Sequence, residues 1–227
     1  DRSRGLGDVY KRQGLKILVT AGPTQEAVDP VRYITNHSTG KMGYAIAKIA
    51  SRRGAEVTLV SGPTAEEEPA FVNVVNVCSA KEMFEAVKER AQEQDIIIKA
   101  AAVADYRPKH IRGSKMKKTE DGSDLTLELE RTDDILAYLG AHKKQGQFLC
   151  GFAMETEDLI ANAKRKLEKK RLDMIAANSL RVEGAGFGGN TNVVTVITKE
   201  KEVSLGKMTK EETAAELLTM IAEARKV

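Results

Sequence analysis

KMGYAIAKIASRRGAEVTLVSGP, residues 41–63, joins a helix to a strand and thereby decides the fold. In its first half the apolar residues recur at intervals of three and four, on one face of a helix that Gly54 ends. These residues are Met42, Ala45, Ile46, Ile49 and Ala50. Its second half, 55–63, is a short apolar run typical of a buried strand, as is LKILVTAG at 15–22. A strand, a helix and a strand of these lengths predict a parallel sheet covered by helices on both faces.

The same alternation continues along the chain. FVNVVNV (71–77), GQFLCGFAMET (146–156) and DMIAANS (173–179) predict further strands, and DIIIKAAAVADY (95–106) predicts the fourth strand and its exit. Helices are predicted after Ser79, which opens a capping-box pattern, over 157–172 and over 209–226. LTLELE (125–130) alternates as a strand with one wet face does, and 191–205 has the pattern of a hairpin. The predicted fold class is α/β: a doubly wound, Rossmann-like, mostly parallel sheet with an antiparallel addition.

Composition narrows the class of protein. The chain has 227 residues, 41% of them hydrophobic, and no apolar run long enough to cross a bilayer, so we expect no membrane partner. Its two cysteines, Cys78 and Cys150, fit neither a disulfide framework nor a metal pattern, and this predicts a reducing compartment, the cytoplasm. The three histidines are scattered, and no residue is predicted to be a metal ligand.

The first thirteen residues have no periodic pattern, so we interpret 1–13 as a tail, a linker or a cloning scar. Residues 14–227 are predicted to form one domain. The thirteen residues contain four Lys/Arg and two Asp, and without them the net charge falls from +3 to +1. A nearly neutral body gives no argument for nucleic-acid binding.

The stretch AGPTQEAVDPVRYITNHSTGKMG, residues 21–43, is unusually long for the connection after a first strand. In this fold class ligands bind beyond the carboxyl ends of strands, yet the stretch contains neither the GxGxxG turn of dinucleotide sites nor a P-loop. Ser38, Thr39 and Lys41 could bind an anion at the helix start. Alternatively, Ser38 or Thr39 merely caps the helix, while Gly40 and Gly43 allow close packing.

Tyr44 and Lys48 form YxxxK, the proton-transfer pair of short-chain dehydrogenases. That pair belongs to a helix much later in the chain, whereas here it follows the first strand, so Tyr44 is expected to pack. A nicotinamide-dependent reductase of the short-chain type is kept as an alternative.

Two further segments follow the fourth strand. Ala100, Ala101 and Ala102 are small enough for a ligand to lie against the backbone, and Asp105 could accept hydrogen bonds from ribose hydroxyls. Alternatively, the alanines pack under a helix and Asp105 caps a turn. A basic loop comes next, with six Lys/Arg and no acid between Tyr106 and Thr119. It is either a solvated loop, or a cover for a polyphosphate, or part of a nucleic-acid surface that would need more aromatic residues. The six are Arg107, Lys109, Arg112, Lys115, Lys117 and Lys118.

Taken in order, GPTQEAVDPVRYITNHSTGKMGYAIA, KAAAVADYRP, KMKK, GFAMET with a lysine-rich helix, and IAANS resemble the phosphopantothenoylcysteine synthetase family. More narrowly, they are similar to the synthetase half of the bacterial bifunctional decarboxylase/synthetase, from about residue 14 onward. No flavin-binding decarboxylase segment is recognised in the chain, which is therefore expected to be either stand-alone or an excised half.

The resemblance implies a two-step ligation in coenzyme A biosynthesis. The carboxylate of 4′-phosphopantothenate attacks the α-phosphorus of CTP, giving an acyl-cytidylate and pyrophosphate, and the amine of L-cysteine then displaces CMP. Mg²⁺ is expected with the CTP, held largely by the triphosphate. Resemblance also implies a homodimer with the acyl substrate near the subunit boundary. The remaining alternative is a non-catalytic nucleotide-binding domain.

The resemblance also implies roles for particular residues. Lys115 is expected to reach the triphosphate and Asn36 to hold the acyl-cytidylate, both as catalytic residues. Arg32 and Ala102 are weaker candidates for contacts to the acyl substrate. The family commonly has NPDI where this chain has Thr132, Asp133, Asp134 and Ile135, so the shape of that loop is open. The positions expected to bind nucleotide are Ala100, Ala101, Asp105, Lys115, Asp134, Ile135, Phe152, Lys166 and Lys170.

Overall fold

The computed structural model describes residues 14–118, 124–155, 158–179 and 188–225. The proposed tail, Thr156 of the predicted strand, Glu157 of the helix predicted over 157–172 and Lys226 of the predicted closing helix lie outside the described residues. The strands are, in chain order, β1 (Lys16–Ala21), β2 (Gln25–Ala27), β3 (Tyr33–Thr35), β4 (Glu56–Ser61), β5 (Val72–Asn76), β6 (Ile96–Lys99), β7 (Tyr106–Pro108), β8 (Leu129–Arg131), β9 (Phe148–Glu155), β10 (Met174–Ser179), β11 (Thr191–Asn192), β12 (Val194–Ile197), β13 (Glu202–Ser204) and β14 (Met208–Thr209). The helices are α1 (Lys41–Arg52), α2 (Ala80–Ala91), α3 (Ile135–Ala141), α4 (Leu159–Lys169) and α5 (Lys210–Ala224).

The central sheet of the described chain has the order β13-β12-β10-β9-β6-β1-β4-β5. From β5 to β10 every neighbouring pair is parallel, and β12 and β13 extend the sheet in the antiparallel sense. The α/β prediction with an antiparallel addition is thus confirmed. Succession along the chain runs from β1 outward through β4 to β5 and then returns to the other side of β1 at β6. The carboxyl ends of β1 and β6 therefore flank a topological switch point, where open α/β sheets bind ligands.

Alternating side chains of the strands supply two apolar layers. On one face Ile17 and Val19 pack with residues of α1 and α5, and on the other Leu18 packs with residues of α2, α3 and α4. Because the inner strands are covered on both sides, their sequences are mostly apolar rather than alternating. This explains why short apolar runs such as the one at 96–98 were sufficient to predict the strands.

Side chains cap the starts of α2 and α5, the former at the predicted Ser79. At α5 the Thr209 side chain accepts the Glu212 N–H while Glu212 accepts the Thr209 N–H, a complete capping box. At α2 the Ser79 hydroxyl accepts the Glu82 N–H at 3.2 Å, as predicted. Glu82, however, accepts the N–H of Cys78, one residue earlier, at 2.7 Å.

Three details differ from the sequence prediction. Of LTLELE only its end lies in a strand, β8, which pairs with β7 outside the central sheet. Leu125, Leu127 and Leu129 are all exposed, so the alternation does not mark a face packed on the core. Helix α3 was missed because it is only seven residues long, and the β2–β3 hairpin because its polar sequence was interpreted as loop. Every helix in the described residues is too short or too polar to cross a bilayer.

Candidate active site

At the switch point the 22–24 segment after β1 contacts the 102–104 segment after β6, and the two segments border the crevice. The N–H of Ala102 donates to Gly22 O at 3.0 Å, and the N–H of Thr24 donates to Ala102 O at 3.2 Å. Pro23 and Ala102 form a parallel bridge that continues the strand pair by one step. The two segments that sequence analysis singled out independently are therefore in contact.

Asn36 joins this contact from the end of β3. Its Nδ2 donates to the carbonyl oxygen of Ala102 at 3.0 Å, although 66 residues separate the two in sequence. Thr35 Oγ1 donates to Thr24 O at 2.8 Å and holds the end of β3 in place. Two of the three residues predicted to contact the acyl substrate are thus brought together, and both keep some exposure to solvent.

Two buried threonines, which sequence analysis did not identify, accept hydrogen bonds from backbone N–H groups of this region. The Ala101 N–H donates to Thr20 Oγ1 at 3.1 Å, and the Ala104 N–H donates to Thr24 Oγ1 at 3.0 Å. Because these amides already have partners, a ligand at the alanines would contact small side chains and carbonyl oxygens. The small size of Ala100 and Ala102 is the property that remains available to it.

A cleft of about 420 Å³ lies beyond the end of β6. Five of the residues predicted to bind nucleotide line it: Asp105, Asp134, Ile135, Lys166 and Lys170. Lys99, the last residue of β6, also lines it and was not predicted as a site residue. The cleft therefore has three ammonium groups in its wall, which suits a polyphosphate.

Asp134 and Lys170 form an ion pair at 2.7 Å on the rim of this cleft. Asp134 also caps α3, since its Oδ1 accepts the Ala137 N–H at 3.0 Å. Burial alone would raise the pKa of Asp134, but the hydrogen bonds from Lys170 and Ala137 and the charges of Lys170 and Lys99 outweigh it and lower that pKa. Thr132 fixes the loop that lacks the family's proline: its hydroxyl donates to Ala104 O at 2.5 Å and its N–H donates to Asp105 O at 3.0 Å.

Lys99 is half-buried in the cleft wall, and its ammonium donates to Ala101 O at 2.9 Å. Burial, together with the nearby charges of Lys166 and Lys170, lowers the pKa of Lys99 to about 8. The sequence signal for it was a lysine at the end of an apolar run, IIIK, where a strand meets the ligand edge.

The nucleotide-binding set predicted from resemblance does not lie on a single face of the sheet. Lys166 donates to Phe152 O at 3.2 Å, so the backbone of Phe152 faces the lysines. The side chains of Phe152 and Ala100, however, pack against the layer formed by α1 and α5, on the opposite face from α4. A nucleotide contacting all the predicted positions would have to lie across the edge of the sheet.

Lys115 is exposed and does not line the cleft with the other lysines, so its contact with a triphosphate stays a prediction. Arg32 is engaged within the protein: its Nε and Nη2 donate to Asp29 Oδ2, and Nη2 also donates to Met116 O at 2.7 Å. The Arg32 guanidinium and the Met116 N–H hold the pKa of Asp29 well below its usual range despite burial. Asp29 was not identified from the sequence.

The basic loop is only in part a free cationic surface. Arg107 pairs with Glu130 at 2.8 Å and Lys109 with Glu128 at 2.6 Å, both across the β7–β8 hairpin. Both glutamates come from the segment after the loop, so these ion pairs could not be recognised within the run of six basic residues.

At the start of α1 the two capping alternatives were wrong. The N-cap is Gly40, with φ of 82°, and no side chain caps the helix; Ser38 Oγ instead accepts the Gly40 N–H at 3.3 Å. The packing role of Gly43 is confirmed, because a Cβ there would lie 2.5 Å from that of Ala21.

The YxxxK pair has structural partners, as the packing interpretation of Tyr44 predicted. The Tyr44 hydroxyl lies 3.0 Å from Ser61 Oγ in the core, and Lys48 pairs with Glu211 at 2.5 Å. Proton transfer by this pair would require both contacts to break. In the ranges that the structure describes, no three His, Cys, Asp or Glu side chains are grouped as metal ligands would be.

Comparison with known proteins gives the family. The model described as the DNA/pantothenate metabolism flavoprotein C-terminal domain matches residues 12–224. A Coenzyme A biosynthesis bifunctional protein CoaBC from Vibrio vulnificus is 49% identical over 209 residues, which are 92% of this chain and 52% of the relative. The chain thus spans about half the length of the curated relatives it matches.

Two solved structures share the fold. The C-terminal domain of a Coenzyme A biosynthesis bifunctional protein CoaBC has 46% identity and a TM-score of 0.80, covering 94% of this chain and 96% of that one. A Cab2 variant in complex with phosphopantothenate-cysteine has a TM-score of 0.73, covering 99% and 90% of the two chains. At 16% identity this second likeness concerns the fold alone.

Proposed function

The chain belongs to the family of DNA/pantothenate metabolism flavoprotein C-terminal domains, and from this premise we propose that it ligates 4′-phosphopantothenate to L-cysteine. The reaction uses CTP, passes through an acyl-cytidylate and yields 4′-phosphopantothenoyl-L-cysteine, CMP and pyrophosphate. The observation that carries the proposal is the pairing of a three-lysine cleft with the Asn36–Ala102 contact at the switch point, in a chain 49% identical to a coenzyme A biosynthesis protein.

The residues suit the first step for an electrostatic reason. A carboxylate attacking a triphosphate brings two anions together, and the lysines of the cleft would neutralise that charge while the leaving pyrophosphate departs. Asp105 and Asp133 line the same cleft and offer oxygen donors that fit a Mg²⁺ arriving with the nucleotide. When bound, that ion would supply further positive charge to the triphosphate.

In the second step the cysteine amine attacks the acyl carbonyl, a C–N bond forms, the bond to the CMP oxygen breaks, and the amine loses a proton. Asn36 is proposed to hold the acyl-cytidylate for this attack, beside Ala102 in the crevice. The acyl group would then lie at the switch point and the nucleotide in the adjoining cleft.

The assembly and setting are also proposed from the family. Since relatives are bifunctional proteins about twice as long, we propose that this chain acts beside a flavin-dependent decarboxylase, in the cytoplasm. Of the eight large hydrophobic residues that are exposed in the described chain, all except Phe71 lie on and around the β2–β3 and β7–β8 hairpins. A second copy covering this surface would make the homodimer.

The deciding experiment is pyrophosphate release measured with CTP, 4′-phosphopantothenate and cysteine, with ATP replacing CTP in a parallel assay. We expect release that requires CTP and 4′-phosphopantothenate, and amide formation that also requires cysteine. Release with ATP alone would refute the nucleotide assignment. Binding of nucleotide without turnover would favour a non-catalytic domain, and a change in nicotinamide fluorescence would favour a reductase.

A further inference from the structure

The carboxylate of Asp29 is buried in the turn between β2 and β3 and is surrounded by donors. Its Oδ1 accepts the N–H groups of Val31 at 2.8 Å and Arg32 at 2.9 Å. Its Oδ2 accepts Arg32 Nε at 3.0 Å and the N–H of Met116, also at 3.0 Å. The side chain of Asp29 has no exposed surface, so these bonds replace water completely.

The Met116 bond is one of three connections between this turn and the loop that carries Lys115. Arg32 Nη2 donates to Met116 O at 2.7 Å, so the peptide units on both sides of Met116 are engaged. The N–H of Arg112 donates to Val28 O at 3.1 Å. The backbone on either side of Lys115 is thus fixed to the turn, while its side chain is exposed.

The same hairpin carries the other predicted catalytic residue. Asn36 follows the last residue of β3 and reaches Ala102 O at 3.0 Å. One end of the hairpin therefore holds the Lys115 loop and the other holds the crevice residue. A displacement of the hairpin turn would change the distance between them.

We propose that Asp29 is a positioning residue of the ligase: it binds the Met116 backbone and fixes Lys115 relative to Asn36. The proposal rests on the proposed function. A lysine stabilises a transition state best when its position is fixed before the reaction, because no free energy is then spent on reorganising the loop. Without Asp29 the loop would have to be ordered in each catalytic cycle.

Asp29→Asn tests the proposal with little change in size. An amide has one donor group where the carboxylate has an acceptor, and every partner of Asp29 described above is a donor. In either orientation the new NH₂ group faces N–H groups, so the connection to Met116 or the turn itself is broken. Lys143→Met is the matched control, because it removes a half-buried ion pair with Asp173 at 2.7 Å far from this loop.

Two measurements follow on the full chain. Native-state trypsin cleavage after Arg112 reports loop opening, and we expect it to be about fivefold or more faster in Asp29→Asn but unchanged in Lys143→Met. The kcat of CTP-dependent pyrophosphate release is expected to fall about tenfold, with a smaller change in the KM for CTP. In a Lys115→Ala background the same substitution should have little further effect, because the residue being positioned is gone.

If Asp29→Asn and Lys115→Ala lower kcat by factors that multiply in the double variant, the positioning role is refuted. Unchanged cleavage after Arg112 in Asp29→Asn would also refute it. If the wild-type protein releases no pyrophosphate, the proposed function fails. The cleavage experiment would then still decide whether Asp29 holds the loop, and equal cleavage of both variants would show that it does not.

Discussion

At the scale of single residues, the role proposed for Asn36 in holding the acyl-cytidylate can be tested by mutation of its amide, which donates to Ala102 O. We expect Asn36→Ala to leave pyrophosphate release within about threefold of wild type but to slow amide formation by about tenfold or more. The acyl-cytidylate should accumulate and be visible by mass spectrometry of quenched reactions. Asn73→Ala, at an exposed position of β5, is the control; normal amide formation by the Asn36 variant would contradict its role.

Lys99 predicts a pH dependence of nucleotide binding. Its pKa is lowered to about 8 in the free protein, and a bound triphosphate would favour the charged form and raise that pKa. Binding should therefore take up a proton above pH 8, and CTP affinity should fall by up to about tenfold between pH 7 and pH 9. Calorimetric titrations in two buffers of different ionisation enthalpy would measure the uptake.

The Lys99→Met variant supplies the comparison for that titration. Met is unbranched and only one atom shorter than Lys, but it has no titrating group. The affinity of the variant for CTP should therefore be lower at pH 7 and should vary less from pH 7 to pH 9. If CTP affinity depends on pH equally steeply in the wild type and in Lys99→Met, a group other than Lys99 is titrating.

The site could be predicted from the sequence only where its residues belong to a recognisable motif. Asp134 and Lys170 were predicted by resemblance, and the structure brings them together in one cleft. Asp29 could not be found, because the bond that singles it out reaches Met116, 87 residues away. Lys99 was missed because its lowered pKa comes from burial and from Lys166 and Lys170, which are distant in sequence.

At the scale of elements, the capping box of α5 provides a stability test. Thr209→Ala removes the acceptor for the Glu212 N–H, bonded at 3.1 Å, and should lower the free energy of unfolding by about 1 kcal/mol. Urea denaturation followed by circular dichroism measures the change. Glu216→Ala, at an exposed position inside the same helix, should change it by less than about 0.5 kcal/mol. Equal losses would mean that the cap contributes nothing specific.

The elements that were predicted well are those with two covered faces. Runs such as 16–21 and 148–154 are apolar because both sides of the sheet are packed, and such runs are hard to mistake. The β2–β3 and β7–β8 hairpins contribute little to the core, so their sequences have no comparable pattern. These hairpins are also the elements that frame the proposed site.

At the scale of the whole molecule, the exposed apolar surface bears on assembly. It consists of Val31, Tyr33, Tyr106, Ile111, Leu125, Leu127 and Leu129. Burial of such a surface by a second copy would stabilise a dimer, and Leu127→Glu should convert it largely to monomer. Light scattering coupled to size-exclusion chromatography measures the mass. Phe71→Glu changes an equally apolar side chain, 97% exposed and outside this surface, and should leave the mass unchanged.

A monomeric wild-type protein at tens of micromolar would contradict the proposed homodimer.

The sheet architecture itself was predictable as a class, since alternating strands and helices allow few arrangements. The strand order was not, because nothing local in β6 indicates that it pairs on the far side of β1.

The contrast between the two thiols offers an optical probe of the β2–β3 hairpin. Burial raises the pKa of Cys150 far above its usual range, and that side chain has no exposed surface, so it should not react with a maleimide dye. Cys78 is exposed, although burial of its sulfur and the charges of Glu82 and Glu26 raise its pKa and should slow labelling at neutral pH. Because the carbonyl of Cys78 accepts the N–H of Gln25 at 2.9 Å, a fluorophore there would be attached at the base of the hairpin. Its emission would report, without any mutation, whether substrates move this part of the molecule.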